Sequence, residues 1–168
     1  MNLLAEIAEV FAWRPIPSEV IEFQIPLQLD SDIKDTLWFA GRDWHDISWD
    51  DWQGHDVGMT YFTGEAFGYY LPSVLVLSVG RPEQCLSAAE RLISHLDLPP
   101  DVEYWNPLFQ RHLFNLSIEE IEVVKRWLVI ISDSPTYHLH GTSGQGDNLG
   151  RAFDTLNLLH QEIKRMRR

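Results

Sequence analysis

Cysteine is almost absent from this sequence of 168 residues, which contains only Cys85. A single thiol cannot close an internal disulfide, and it excludes a cysteine-based zinc cluster or a secreted disulfide framework. Long apolar runs are missing too. The most apolar stretches, residues 71–79 and 127–131, fall far short of the roughly 20 residues of a membrane span. The start of the chain also lacks the basic region of a signal peptide. We therefore expect a cytoplasmic protein that does not associate with membranes.

Positive charge is scarce as well. The chain has 13 lysines and arginines against 25 aspartates and glutamates, and its formal net charge is −12. Half of that charge lies in residues 30–56, where eight aspartates face only Lys34 and Arg42. A negative field repels nucleic acid and attracts basic proteins. The composition predicts no nucleic-acid partner and allows a basic protein partner, although acidity can also serve solubility alone.

Apolar residues at helical spacing recur along most of the chain, in six segments. Capping boxes, in which a serine precedes an acid by three residues, begin helices at Ser48 and Ser117. Only residues 21–29 alternate apolar and polar side chains as an edge strand does. We predict one compact multi-helix domain over residues 1–168, mainly α (α+β at most), with up to two or three short edge strands.

Prolines predict where several helices begin, bend or end. Pro72 lies within a long apolar segment and is expected to kink or restart its helix. Pro82 is expected to begin the next helix, which stops before Pro99. The helix after Ser117 has apolar residues on two faces, including Trp127, which predicts that it is buried.

The run F-T-G-E-A-F-G-Y-Y-L-P at residues 62–72 resembles the T-x-E-A-F-x-Y-Y-L-P signature of an uncharacterised bacterial protein family. The similarity extends to the tryptophan-containing residues 43–47 and to the helix after Ser117 that ends in Trp127 and Leu128, about two thirds of the chain. The resemblance implies a shared fold. Because the function of that family is unknown, no catalytic or binding residue carries over from it.

Two histidine–aspartate pairs, His45 with Asp46 and His55 with Asp56, carry side chains of the kind that bind metals in hydrolases. The pairs lie ten residues apart and lack the separate upstream histidine of such enzymes. Polar residues around buried tryptophans are the plainer interpretation. A metal-assisted hydrolase of unknown substrate is therefore kept as the alternative function, with no catalytic residue and no cofactor assigned.

A second candidate metal site consists of His138 and His140, which would lie on one side of an extended segment. A third ligand would have to come from elsewhere in the chain. The glycine-rich residues 141–146 that follow resemble a phosphate-binding loop only superficially, because no lysine follows the last glycine. This segment is better interpreted as a connector.

We call residues 30–56 the acidic segment. It contains four of the seven tryptophans of the chain. They either pack the core or, if exposed, anchor a protein partner. The second explanation predicts an acidic protein-binding module, of which an immunity-type protein that neutralises a basic toxin domain is one form. The predicted binding residues are Trp44, Asp46, Trp49, Asp50, Asp51, Trp52 and Asp56.

Overall fold

Helices form most of the structure, a computed structural model that describes residues 2–22, 30–139 and 148–167. Within these residues there are ten α-helices, and the predicted mainly α fold is confirmed. Two short 3-10 helices, Trp44–Asp46 and Val102–Tyr104, precede α3 and α7. The α-helices are α1 (Leu3–Phe11), α2 (Asp30–Leu37), α3 (Trp49–His55), α4 (Gly58–Tyr61), α5 (Gly64–Gly80), α6 (Ser87–His95), α7 (Pro107–Phe114), α8 (Ile118–Ser132), α9 (Pro135–Leu139) and α10 (Asn148–Met166).

Helix α5 lies at the centre, in contact with α1, α6, α7, α8 and the first 3-10 helix. Thr63 caps it by accepting a hydrogen bond from the Ala66 backbone N–H. Every residue from 66 to 75 is buried, so the helix is packed on all sides. It passes Pro72 without interruption, and the predicted restart there is wrong. Burial on all sides outweighs the one backbone hydrogen bond that proline removes.

Helix α8 packs between α1 and α10. Its capping box is present as predicted, with Ser117 and Glu120 bonding to each other's backbone N–H. The side chain of Trp127 is fully buried and donates its indole N–H to the Ser78 hydroxyl on α5 at 2.9 Å. The second apolar face is buried only in part, because Ile130 is 41% exposed.

The helix predicted from Pro82 begins later, at Ser87. The Pro82 carbonyl oxygen instead accepts hydrogen bonds from the hydroxyls of Ser134 and Thr136. The backbone N–H of Leu86 donates to the Tyr137 hydroxyl at 3.1 Å. Contacts with a distant part of the chain therefore hold this segment as a connector.

The predicted edge strand is described only at its beginning. Ile21 forms an isolated antiparallel bridge with Phe62, and Glu22 donates its backbone N–H to the Tyr61 carbonyl oxygen at 2.8 Å. Residues 23–29 lie outside the described residues. None of the described helices is both long and apolar enough to cross a bilayer.

A buried ion pair joins the segment after α1 to the first turn of α8. The Arg14 guanidinium meets the Glu120 carboxylate through two hydrogen bonds, Nε to Oε1 at 2.6 Å and Nη2 to Oε2 at 2.7 Å. Their side chains are 6% and 0% exposed. Asn115 accepts two further hydrogen bonds from Arg14, and the Ser117 backbone N–H donates to the Glu120 carboxylate. Both charges therefore have the partners that a buried ion pair requires.

Gly68 on α5 provides the space for this ion pair. A Cβ atom added there would overlap the Arg14 guanidinium. Any larger residue at position 68 must therefore shift the Arg14 guanidinium from its present position against Glu120.

We predict that Gly68→Ala lowers the free energy of unfolding by about 1 to 3 kcal/mol, the usual cost of an added methyl group in a packed interior, because the Arg14 guanidinium must shift. Gly54→Ala is the matched control, because no atom lies within 4 Å of its added Cβ. Alanine is the better helix former, so Gly54→Ala leaves stability unchanged or raises it by up to about 1 kcal/mol. Urea unfolding compares the two variants, and equal effects would contradict the role of Gly68.

Two histidines are buried in the core. His112 donates its Nε2–H to the Phe62 carbonyl oxygen at 2.6 Å and stacks on Phe67, whereas His95 Nε2 lies 3.3 Å from the Thr60 hydroxyl. Within the described part of the chain, Nδ1 of each ring is buried without a hydrogen-bond partner. Burial removes hydration from the charged ring, which lowers the pKa of His95 to about 3 and that of His112 to about 4.

We predict that acid destabilises this fold below roughly pH 6.5, where histidines of an unfolded chain take up protons. Folded His95 and His112 stay neutral down to their lowered pKa values of about 3 and 4. The unfolded state then binds more protons, so the free energy of unfolding falls as the pH falls. The slope is about 1.4 kcal/mol per pH unit for each histidine well below pH 6.5. Urea unfolding between pH 7 and pH 5 measures it.

The variant that tests this slope is His95→Phe, which keeps an aromatic ring against Phe109. It should reduce the pH dependence by about the share of one histidine. Leu37→Ala is the control, since it changes an exposed side chain without a titratable group, and it should leave the slope unchanged. A wild-type slope in His95→Phe would contradict the prediction.

Candidate functional site

The three tryptophans predicted as binding residues lie in the core. Trp44 and Trp49 are each 6% exposed, and Trp52 is fully buried. Trp52 donates its indole N–H to the Ser73 hydroxyl at 2.9 Å and packs against Phe39. These rings cannot reach a partner without leaving the core, so their predicted role as exposed anchors is wrong. The other explanation, packing of the core, describes them.

Two of the predicted aspartates stabilise the fold itself. The Asp51 carboxylate accepts hydrogen bonds from the backbone N–H and the hydroxyl of Ser48, which completes the capping box of α3. The Asp56 carboxylate accepts a hydrogen bond from Arg91 Nε of α6 at 2.8 Å. Their charges are therefore partly compensated.

Asp46 and Asp50 differ from these. Both are exposed, and neither carboxylate forms an ion pair or a hydrogen bond with any described residue. Asp43 beside them is bound locally, since it accepts hydrogen bonds from the backbone and the ring of His45. Those bonds, the backbone one first, hold the pKa of the Asp43 carboxyl below its usual range. Asp43 is therefore negatively charged at neutral pH.

An exposed apolar segment lies beside these aspartates, and the sequence analysis did not predict it. We call residues 13–18, with the sequence W-R-P-I-P-S, the strap. Trp13 is 63% exposed and Ile16 is 47% exposed. All seven tryptophans lie in the described residues, and Trp13 alone is mostly exposed. The signal in the sequence was a tryptophan next to two prolines, beyond the end of the helical pattern.

The strap is held at both ends. Arg14 joins it to Glu120 as described above. Beyond it, the Thr63 hydroxyl donates to the Glu19 carbonyl oxygen at 3.0 Å, and the Thr63 backbone N–H donates to the Val20 carbonyl oxygen at 3.1 Å. Trp13 and Ile16 are thus displayed from a segment whose position is fixed.

Ile16 separates two surface depressions. One, of about 370 Å³, lies between the strap, Glu65 and Asn115. The other, of about 420 Å³, lies between Ile16 and the acidic segment and is lined by three aspartates, Asp43, Asp46 and Asp51, and by Arg42. The Arg42 guanidinium lies 3.9 Å from the centre of the Trp38 ring. The arrangement can bind an apolar side chain flanked by positive charge.

The histidine–aspartate pairs do not come together as a metal site. His45 pairs with Asp43, and His55 lies 3.1 Å from Asp35, whereas Asp56 faces Arg91. No group of three metal-binding side chains occurs in residues 2–22, 30–139 or 148–167. The second predicted metal site lies outside the described residues, because it consists of the side chain of His138 and the whole of His140.

Comparisons of the chain with protein-family models, with curated protein sequences and with solved structures find no match. The resemblance of residues 62–72 to the bacterial signature stays a prediction. In the structure this run caps and begins α5, and Phe67, Tyr70 and Pro72 are among its buried residues. Its conspicuous aromatic residues therefore serve the packing of the central helix.

We predict that Trp13→Phe removes most of the tryptophan fluorescence that acrylamide can quench, because Trp13 is the one mostly exposed indole. The quenching constant should fall by about half or more, with half-buried Trp38 providing much of the remainder. Trp105→Phe is the control, since Trp105 is 3% exposed and its replacement should leave quenching nearly unchanged. Equal losses in the two variants would contradict the assigned exposures.

Proposed function

We propose that this protein is a protein-binding module whose acidic surface binds a basic protein. The observation that carries the proposal is the exposed pair Asp46 and Asp50, whose carboxylates have no partner among the described residues. Unpaired carboxylates at a surface keep their full attraction for a positively charged partner. The large excess of acids over bases in the chain extends that attraction to long range.

The partner is a protein rather than a nucleic acid or an anionic lipid, because phosphate groups would be repelled by the same field. An immunity-type role, in which the partner is a basic toxin domain, suits a small acidic protein, since charge accelerates capture. A toxin gene directly beside the gene for this protein would support that role. A neighbourhood of metabolic genes would count against it.

The test is purification of the protein from its native cells under mild conditions, followed by identification of the protein that co-purifies. We expect a basic protein, and we predict that the double variant Asp46→Asn with Asp50→Asn slows its association about two- to tenfold at low salt. Asp51 is left unchanged because it caps α3. The slowing should shrink as salt rises, since the Debye length falls from about 10 Å at 0.1 M to about 3 Å at 1 M.

The matched control is Glu103→Gln with Asp154→Asn, which also removes two negative charges, but from exposed positions elsewhere in the chain. If steering comes from the acidic segment, this control changes the association rate much less. Equal slowing by both double variants would assign the effect to net charge alone. An unchanged rate in the Asp46 and Asp50 variant would contradict the proposal.

A further inference from the structure

We infer that the strap is the docking centre of this surface, and that its occupant is a protein segment that carries an apolar side chain flanked by lysine or arginine. This inference rests on the proposed function and specifies the partner. Trp13 and Ile16 provide the apolar contact. The carboxylates on either side of them provide the charge complement.

The first step of the argument is exposure. A tryptophan left 63% exposed and an isoleucine left 47% exposed, three positions apart, place two large apolar side chains on one short segment. Tryptophan is the residue most often found at the energetic centre of protein interfaces, because its ring covers a large area with few rotatable bonds. In this chain the other indoles face the core or are half-buried.

The second step is charge. In the depression on one side of Ile16, three carboxylates face the single guanidinium of Arg42. The Arg42 guanidinium offsets one of these three charges, and its Nε donates to the Trp38 carbonyl oxygen at 2.8 Å. In the depression on the other side, Arg14 is neutralised by buried Glu120, which leaves the exposed carboxylate of Glu65. The apolar centre therefore has net negative charge on both sides, and an occupant with positive charge on both sides complements it.

The third step is rigidity. Arg14 fixes the strap between Trp13 and Ile16, and Pro15 and Pro17 restrict its backbone to a narrow range of φ. A segment that is already ordered loses little conformational entropy when a partner binds. The strap is thus suited to a fixed contact, in which Trp13 and Ile16 determine how long the partner stays bound.

The experiment uses the full chain labelled with ¹⁵N and three acetylated, amidated peptides as probes. Gly-Lys-Leu-Lys-Gly combines charge with an apolar side chain, Gly-Lys-Ser-Lys-Gly has charge alone, and Gly-Glu-Leu-Glu-Gly has the apolar side chain with the opposite charge. We expect the first peptide to shift the indole N–H signal of Trp13, assigned with Trp13→Phe. It should bind at least about tenfold more tightly than the other two.

Two sets of variants separate this inference from the proposed function. Trp13→Ala and Ile16→Ala should each abolish the advantage of the leucine peptide over the serine peptide, while Asp46→Asn with Asp50→Asn should weaken both lysine peptides. Both substituted side chains are exposed in the native protein, and the unfolding temperatures of the two variants check that they fold. Leu37→Ala, at another exposed apolar position, is the control and should change neither peptide.

The outcomes are distinct. If both lysine peptides bind equally and depend on Asp46 and Asp50 but not on Trp13, the inference is overturned and the acidic surface remains. If neither peptide binds, or if the shifted signals belong to residues away from the strap, the docking centre is overturned too. The proposed function is then judged by the association rate of the co-purified protein alone.

Discussion

The Arg14 guanidinium and the Glu120 carboxylate meet in the interior, 106 residues apart in sequence. Transfer of two charges from water into a protein costs several kcal/mol for each ion unless every donor and acceptor is satisfied. Here the guanidinium bonds to Glu120 and Asn115, and the carboxylate also accepts the Ser117 backbone N–H. Gly68 completes the arrangement by leaving room beside α5. One ion pair thereby fixes the positions of the strap, α8 and the central helix relative to one another.

The exposed position of the strap depends on this ion pair. Arg14 points inward to Glu120, while Trp13 on one side and Ile16 on the other remain exposed. The segment would otherwise be a short connector between α1 and the rest of the chain. Because Arg14 is fixed in the interior, Trp13 and Ile16 stay beside the acidic segment, where the proposed partner would meet apolar contact area and charge together.

In the acidic segment, the tryptophans and the aspartates have different roles, although the composition had suggested one shared binding role. Trp44, Trp49 and Trp52 pack the core, and the buried Ser73 hydroxyl accepts the indole N–H of Trp52. Its aspartates divide further. Asp51 and Asp56 stabilise local structure, while Asp46 and Asp50 remain available to solvent. Charge can therefore be tested at the surface without disturbing the core.

The sequence by itself determined the features that depend on near neighbours. Capping boxes at Ser48 and Ser117 act across three residues, and apolar spacing within a helix acts across a few turns, so both are readable from the chain. Tertiary structure decided what depends on distant contacts. It kept α5 continuous through Pro72, buried three of the four tryptophans of the acidic segment, and paired Arg14 with Glu120. The exposure of Trp13 and Ile16 belongs to this second group, because only the packed fold determines which apolar side chains find room inside it.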